Sequence, residues 1–351
     1  MNLKNIIENT GFDNIIKKPY IIAEAGVNHE CEIKIAEKLI LDAAEGGAHA
    51  IKFQSYKADT IAAKESPAYW DLSSEPTLNQ HELFSRYDKF WKNEFEHLKI
   101  CCDKANIEFM STPFDLESAI FLNDLVEVFK ISSSDITNKP FIEFISKFKK
   151  PILLSTGASS LEEINDAITW LDNGSSNFAL MHCILNYPTQ DNNANLSMIT
   201  DLQNKFPGKI IGYSDHTLPN NMKNLEIATL LGAQILEKHF THDKKLPGND
   251  HYHSMDIKDL KIFIKRLNTL FNILGSNEKN YLPEEIVSRN NARRSLVANS
   301  DIEIGEKIKL SKLTWKRPAS GISPKFINDI IDKKAQIKIK KDQIIKWDMI
   351  K

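Results

Sequence analysis

Lys209-Ile210-Ile211-Gly212-Tyr213-Ser214-Asp215-His216 is a short apolar run that breaks off in polar residues and lacks helical spacing. Such a run reads as a strand buried on both faces. The design recurs along the chain. Residues 20–26, 50–54, 107–112, 128–133, 151–157 and 178–183 precede it, and 234–239 follow. Between these runs lie amphipathic segments. Ile33, Ala36, Ile40 and Ala43 fall at helical spacing, as do Leu161, Ile164, Ala167, Ile168 and Leu171. The latter helix has Ser159 or Ser160 as its N-cap and Glu162 and Glu163 in its first turn. Residues 116–125, 199–206, 225–231 and 257–274 supply further helices. Eight strand–helix units over about 270 residues predict an α/β fold, a (β/α)8 TIM barrel. The alternative is an open doubly wound sheet, disfavoured because no Gly-x-Gly-x-x-Gly turn follows the first strand.

Two segments depart from the repeat. Residues 56–90 carry Pro67, Tyr69, Trp70, Pro76, Phe84 and Tyr87 with little sustained period, and a connection this long predicts a functional excursion such as a lid. From Tyr281-Leu282-Pro283 onward, apolar patches such as Ser295-Leu296-Val297-Ala298 and Leu313-Thr314-Trp315 alternate with Gly and Lys. The expected organisation is a barrel domain over residues 1–280 and a small β-rich module over 281–351. A module of that size is marginal alone and is expected to lean on a partner surface.

Composition sets outer limits. The 351 residues are 42% hydrophobic, enough for a large core, which excludes a mostly disordered chain. With 45 Lys+Arg against 47 Asp+Glu, the formal charge of −2 provides no global attraction to nucleic acid or to an acidic membrane. Any anion site must be a local cluster. Cys31, Cys101, Cys102 and Cys183 are too few and too irregular for a disulfide scaffold or a zinc site. Residues 1–8 lack the apolar stretch of a signal peptide, and no run has the ~18 apolar residues of a membrane helix. The expectation is a cytoplasmic protein with neither nucleic-acid nor membrane partners.

In a barrel the site lies where strands end and loops begin. Here the strand ends are polar: Glu24, then Lys52 and Gln54, Ser111-Thr112, Lys130 with Ser132-Ser133-Ser134-Asp135, Ser155-Thr156, residues 182–187, Ser214-Asp215-His216, and Glu237-Lys238-His239. Singly these mean little, since a strand-end Ser is usually a cap and an isolated His is usually structural. A strand lysine means more. Lys is almost never buried unpaired, so Lys52 and Lys130 need a carboxylate or an anionic ligand. With Thr112, Ser133, Ser155 and Ser214 on the same rim they can hold a phosphate and a carboxylate together. His216 and His239 end neighbouring strands and can share one divalent ion, leaving positions open for substrate and water. Asp215 or Glu237 is the expected carboxylate that orients a ring.

The strings also resemble a known family. Residues 23–29 (Ala-Glu-Ala-Gly-Val-Asn-His), Lys52-Phe53-Gln54, Ser111-Thr112-Pro113-Phe114, Lys130-Ile131-Ser132-Ser133 and Leu154-Ser155-Thr156-Gly157 carry the likeness. It continues through His182-Cys183, Tyr187-Pro188-Thr189, Gly212-Tyr213-Ser214-Asp215-His216-Thr217, Leu236-Glu237-Lys238-His239-Phe240, Pro247-Gly248-Asn249-Asp250 and Trp315-Lys316-Arg317-Pro318. In that order the chain resembles the sialic acid synthases: phosphoenolpyruvate-dependent N-acetylneuraminate synthases and their legionaminate and pseudaminate relatives.

The resemblance implies a barrel followed by an antifreeze-like (SAF) domain, in a domain-swapped homodimer. It implies a divalent ion, Mn2+ first, on His216 and His239. Phosphoenolpyruvate would be held by Lys52, Thr112, Lys130, Ser133, Ser155 and Ser214. The N-acyl amino sugar would meet Glu24, Gln54, Asp135, Tyr187 and Asp250, with Arg317 of the partner subunit reaching the N-acyl group. Glu24, His216 and His239 would be catalytic, Glu24 either moving a proton or simply pairing with Lys52. The implied reaction is a transfer that condenses phosphoenolpyruvate with open-chain N-acetylmannosamine and water, giving N-acetylneuraminate and phosphate by C–O cleavage. The alternative is a legionaminate or pseudaminate synthase using a 6-deoxy-diacetamido hexose. More remote are a pyruvate-using metal-dependent aldolase and a non-catalytic carbohydrate-binding protein. Three positions differ from the family pattern: Cys31 stands where Gly is frequent, Leu185 where some members have a phosphate-binding Asn (Asn186 follows), and Asp135 where some have Glu.

Overall fold

The runs expected as strands form eight parallel strands among the described residues: β1 Tyr20–Gly26, β2 Ala50–Ser55, β3 Glu108–Pro113, β4 Phe129–Ile131, β5 Ile152–Ser155, β6 Phe178–Cys183, β7 Ile210–Asp215 and β8 Ile235–His239. The computed structural model describes residues 2–8, 16–174, 177–248 and 250–351, so Asn249 of the quoted string lies outside the described residues. The strand order is β3-β2-β1-β8-β7-β6-β5-β4, and β3 and β4 pack together at the seam. Because β1 pairs with both β2 and β8, the sheet curls into a nearly closed (β/α)8 barrel, and the open doubly wound alternative is excluded.

Alternation along the strands builds two cores and a polar layer. One strand face carries Tyr20, Ile22, Ala50, Met110, Val128, Leu153, Ala179 and Ile235 into the barrel interior, where Leu3 and Ile7 of α1 (Leu3–Glu8) join them. The opposite face packs Ile21, Ala23, Ile51, Phe53, Ile131, Leu154 and Leu236 against the surrounding helices. Side chains repeat with period two in a strand. Two residues beyond Ile22, Ala50, Met110, Val128, Leu153 and Ile235 stand Glu24, Lys52, Thr112, Lys130, Ser155 and Glu237. The apolar interior therefore ends in a charged layer.

The barrel helices are α2 Ile33–Gly46, α3 Ala58–Ile61, α4 Gln80–Tyr87, α5 Lys92–Ala105, α6 Leu116–Leu122, α7 Lys139–Ser146, α8 Leu161–Asn173, α9 Ser197–Lys205, α10 Lys223–Leu230 and α11 Ile257–Leu274. Ser160 caps α8 in a capping box with Glu163, one of the two caps the sequence offered. The excursion after β2 has its own structure: α3, a bridge between Pro67 and Asn79, and α4. Trp70 anchors it, its buried Nε1 donating to the carbonyls of Glu75 and Thr77, both at 3.1 Å.

Contacts divide the chain into two units, Met1–Gly275 and Ser276–Lys351. In the second, β9 (Ser295–Ala298) pairs antiparallel with β10 (Leu313–Lys316). Further bridges, such as Ile302 with Ile339 and Ala335 with Ile350, tie its loops around Leu296, Ile308, Ile330, Ile339 and Ile345. Its short helices are α12 Ile286–Ala292 and α13 Ile327–Ile330. Among the described residues no helix is long and apolar enough to cross a membrane.

Candidate active site

A cavity of about 340 Å³ opens at the C-terminal ends of the strands. Twelve of the residues singled out from sequence line it: Glu24, Lys52, Gln54, Thr112, Lys130, Ser133, Ser155, Tyr187, Ser214, His216, His239 and Asp250. Asp135 and Arg317 do not. The turn Ser133–Asp135 presents Ser132, Ser133 and Ser134 to the cavity, while Asp135 Oδ1 accepts from Asn138 Nδ2 at 3.1 Å. Arg317 is exposed on the second unit.

The cavity carries a chain of opposite charges. Glu24 pairs with Lys52, whose Nζ also donates to Thr112 Oγ1 at 3.1 Å and lies 3.8 Å from Glu237 Oε1. Glu237 in turn accepts from Lys130 at 2.8 and 2.9 Å and from Ser214 Oγ at 2.9 Å. All four charged groups are at most 4% exposed. Charges this deep persist only when each has a partner, because isolated burial costs several kcal/mol per ion. The two carboxylates nonetheless differ. Burial, with Glu237 adding to it and Lys52 opposing it, pushes the Glu24 carboxyl up to about 7. Burial also acts on Glu237, but the Lys130 and Lys52 ammonium groups outweigh it and hold that carboxyl at about 2. Glu237 stays ionised near neutrality, whereas Glu24 exchanges a proton there. Next to this chain, the Gly157 N–H donates to Ser133 Oγ at 2.9 Å.

The imidazoles stand beside the charged layer. His216 Nδ1 donates to the Ile184 carbonyl at 2.8 Å, which leaves the Nε2 lone pair available. Burial lowers the His216 ring to about 4 and takes His239 well below its ordinary value, so both rings are neutral near neutrality and each keeps one unprotonated nitrogen. Their ring centroids are 5.4 Å apart. Asp250 Oδ2 lies 3.6 Å from His239 Nδ1, and Asp250 Oδ1 lies 3.5 Å from Nε2 of the fully buried His253. The donor atoms of His239, Asp250 and His253 all fall within 4.8 Å of one another. Among the described residues, no hydrogen bond reaches either His253 nitrogen or His239 Nδ1. Imidazole nitrogens gathered around a buried carboxylate suit a divalent transition ion.

Several details depart from the sequence reading. Neither Asp215 nor Glu237 orients a histidine. Asp215 lies on the helix-facing side of β7, where it accepts from Lys238 at 2.8 Å and from Tyr213 at 2.9 Å, and Glu237 is taken up by Lys130. The Ile184 carbonyl holds the His216 ring, and Asp250 faces His239 at 3.6 Å. Leu185 lines the cavity, whereas the carbonyl of Asn186 accepts from Thr189 Oγ1 at 2.8 Å. Cys31 has φ +59°, in the left-handed region that favours glycine, which accounts for the family's Gly there. His253 and Gly157 were not singled out. The period-two step from Ile235 to Glu237 places that carboxylate beside Lys130, but no linear pattern marks His253.

A NeuB family model matches residues 39–279, and a SAF domain model matches residues 293–351. The chain belongs to the NeuB family. This NeuB-family chain is 39% identical over 338 residues to the N,N'-diacetyllegionaminic acid synthase of Campylobacter jejuni, covering 94% of this chain and 100% of that protein. It is 30% identical over 376 residues to the N-acetylneuraminate-9-phosphate synthase of Drosophila melanogaster, with 98% of each covered. The crystal structure of N-acetylneuraminic acid synthetase from Leptospira borgpetersenii, in complex with citrate, superposes with a TM-score of 0.69 at 32% identity, over 79% of this chain and 94% of that one.

Proposed function

We propose that this NeuB-family chain condenses phosphoenolpyruvate with the open-chain aldehyde of an N-acyl amino sugar and water, releasing phosphate by C–O cleavage and forming a nine-carbon 2-keto sugar acid. The carrying observation is the buried Glu24–Lys52–Glu237–Lys130 chain beside two neutral imidazoles in one cavity. When both carboxyls are ionised, that chain of two cations and two anions is electrically balanced. Protonating Glu24 leaves one positive charge in surplus for an incoming phosphate and carboxylate. Thr112, Ser133, Ser155 and Ser214 add hydroxyls, which donate to such oxygens.

A divalent ion on His216 and His239, Mn2+ by resemblance, would supply Lewis-acid polarisation of the aldehyde. Glu24 gives a proton to the oxygen that becomes a hydroxyl and takes one back from the water that adds to the former enol carbon. Over the cycle this exchange is proton-neutral. Lys52 and Lys130 hold the phosphoenolpyruvate charge in place, so the two reactants meet already positioned.

For the sugar we assign the 6-deoxy-diacetamido hexose, the second of the two substrates weighed from sequence. Ile61, Tyr69, Trp70, Leu83, Phe84 and Tyr87 of the excursion, with Phe114 and Leu185, form an apolar and aromatic wall. Among the described lining residues the ammonium groups are Lys52 and Lys130, both engaged by carboxylates, so that wall has none for a phosphorylated sugar. A methyl group and a second acetyl fit such a surface better than a phosphate or a hydroxymethyl. The 39% identity to a diacetyllegionaminic acid synthase points the same way. The domain-swapped homodimer and the role of Arg317 toward the N-acyl group belong to the same proposal, supported by the SAF match.

The test is a panel incubation with phosphoenolpyruvate, Mn2+ and each candidate sugar, read by phosphate release and product mass. Phosphate release that depends on a diacetamido sugar, with a matching nine-carbon acid, is expected. Preferential turnover of N-acetylmannosamine would overturn the sugar assignment. Phosphate release indifferent to every sugar would overturn the reaction.

A further inference from the structure

Helices α2 and α5 pack side by side outside the barrel, with Ala36, Leu39 and Ala43 of one and Phe95, Leu98 and Cys102 of the other in the core. At the outer edge of this seam three unlike donors meet. His97 and Cys101 are four residues apart on α5 and so share a face, and Glu37 comes across from α2. His97 Nε2 lies 2.6 Å from Glu37 Oε1 and 3.5 Å from Cys101 Sγ, and Cys101 Sγ lies 3.9 Å from Glu37 Oε1. None of the three lines the cavity.

These separations match the edges of a small coordination polyhedron. Metal–sulfur bonds of about 2.3 Å and metal–nitrogen or –oxygen bonds of about 2.0 Å give tetrahedral edges of roughly 3.5 Å between S and N or O. The same bonds give roughly 3.3 Å between N and O. The two sulfur edges are within about 0.4 Å of those values as they stand. The histidine–carboxylate hydrogen bond opens by about 0.7 Å when each atom bonds an ion instead of the other. A thiolate, an imidazole and a carboxylate select a late first-row cation over Mg2+, Ca2+ or Mn2+.

We propose that Glu37, His97 and Cys101 bind a zinc-type divalent cation, with water in the fourth position, and that the ion staples α2 to α5. On binding, the thiol proton leaves to solvent and sulfur takes the coordinate bond, with no change of oxidation state. Cysteine spacing alone predicts no zinc site because only one thiol takes part and its partners come from a different helical turn and a different helix. The site is independent of the sugar-acid reading and chemically separable from the cavity, whose own thiol, Cys183, lies 3.7 Å from His216 Nδ1.

The experiment loads reduced, chelator-stripped full-length protein with Co2+ and follows the near-ultraviolet thiolate-to-cobalt charge-transfer band. The wild type is expected to show it, Zn2+ to bleach it, Cys101→Ser and His97→Gln to lose it, and Cys183→Ser to keep it. Zn2+ is also expected to raise the unfolding midpoint of the His216→Ala/His239→Ala protein by several degrees but not that of Cys101→Ser. No band in the wild type, a band that survives Cys101→Ser, or one lost in Cys183→Ser would overturn the proposal. The panel assay of sugar condensation is unaffected by any of these outcomes.

Discussion

Lys130 Nζ donates to both carboxylate oxygens of Glu237, at 2.8 and 2.9 Å, joining β4 to β8 across the barrel interior. Both side chains are about 5% exposed or less, so neither charge can turn to water when the other is removed. Glu237→Gln is expected to cost roughly 3–5 kcal/mol, lowering the unfolding midpoint of the barrel by on the order of 10 °C. Lys130→Met/Glu237→Met removes both charges and is expected to recover most of that loss while abolishing phosphoenolpyruvate binding. Thermal unfolding of the three proteins checks this. A single variant as stable as the wild type would contradict it.

Glu24 provides a pH signature. Its carboxyl sits at about 7, above the ordinary carboxylate range, because burial disfavours the ionised form. The proton that Glu24 donates in the proposed reaction is therefore present below that value and lost above it. The rate constant kcat/KM for the sugar is expected to fall as pH rises through about 7, with Glu24 as the group responsible. Glu24→Gln keeps the shape but not the exchangeable proton, so kcat should drop about 10²–10⁴-fold and the alkaline limb should vanish. A limb that persists in the variant would assign it to another group.

Short apolar runs alternating with amphipathic segments made the barrel legible in the sequence, and the polar residues that end each run marked its rim. Pairing was harder to read. Lys52 and Lys130 visibly required anionic partners, but Glu237 looked equally suited to steady a histidine. Only the barrel's curvature brings β8 opposite β4 and settles its partner. His253 lies in the loop after β8, where no periodicity operates, and only the fold shows it buried beside Asp250. Asp135 follows a strand end like the others, but the tight turn Ser133–Asp135 sends its carboxylate to Asn138.

The orphaned nitrogens of His253 give a metal prediction. Asp250 faces His239 with one oxygen and His253 with the other, at 3.6 and 3.5 Å, so in the proposed site His253 bears on how the His239 ring is held. His239→Ala is expected to abolish binding of Mn2+, so that the free-ion paramagnetic resonance signal, which the wild type diminishes, stays undiminished on titration. His253→Gln is expected to weaken it about 10–100-fold, the usual effect of removing an outer partner of a metal ligand. Chelation should stop sugar-dependent phosphate release, and Mn2+ should restore it. Unchanged Mn2+ affinity in His253→Gln would reduce that residue to packing.

Gly157 is a tightly packed backbone position beside Ser133 of the cavity. A Cβ there would lie 2.8 Å from Ser133 Oγ, closer than real Cβ atoms approach, and a tight 3.0 Å from Cys183 Sγ. Its N–H donates to Ser133 Oγ, whose own hydroxyl donates to Cys183 Sγ at 3.5 Å and has only to turn from that weak sulfur acceptor to meet a bound anion. Gly157→Ala therefore has to displace Ser133 without removing any charge. The expected result is a KM for phosphoenolpyruvate raised about tenfold or more, equivalent to about 1.4 kcal/mol, with the KM for the sugar little changed. Steady-state kinetics with each substrate varied in turn measures the split. Equal rises in both constants would mean that the added methyl group distorts the whole cavity rather than the anion end.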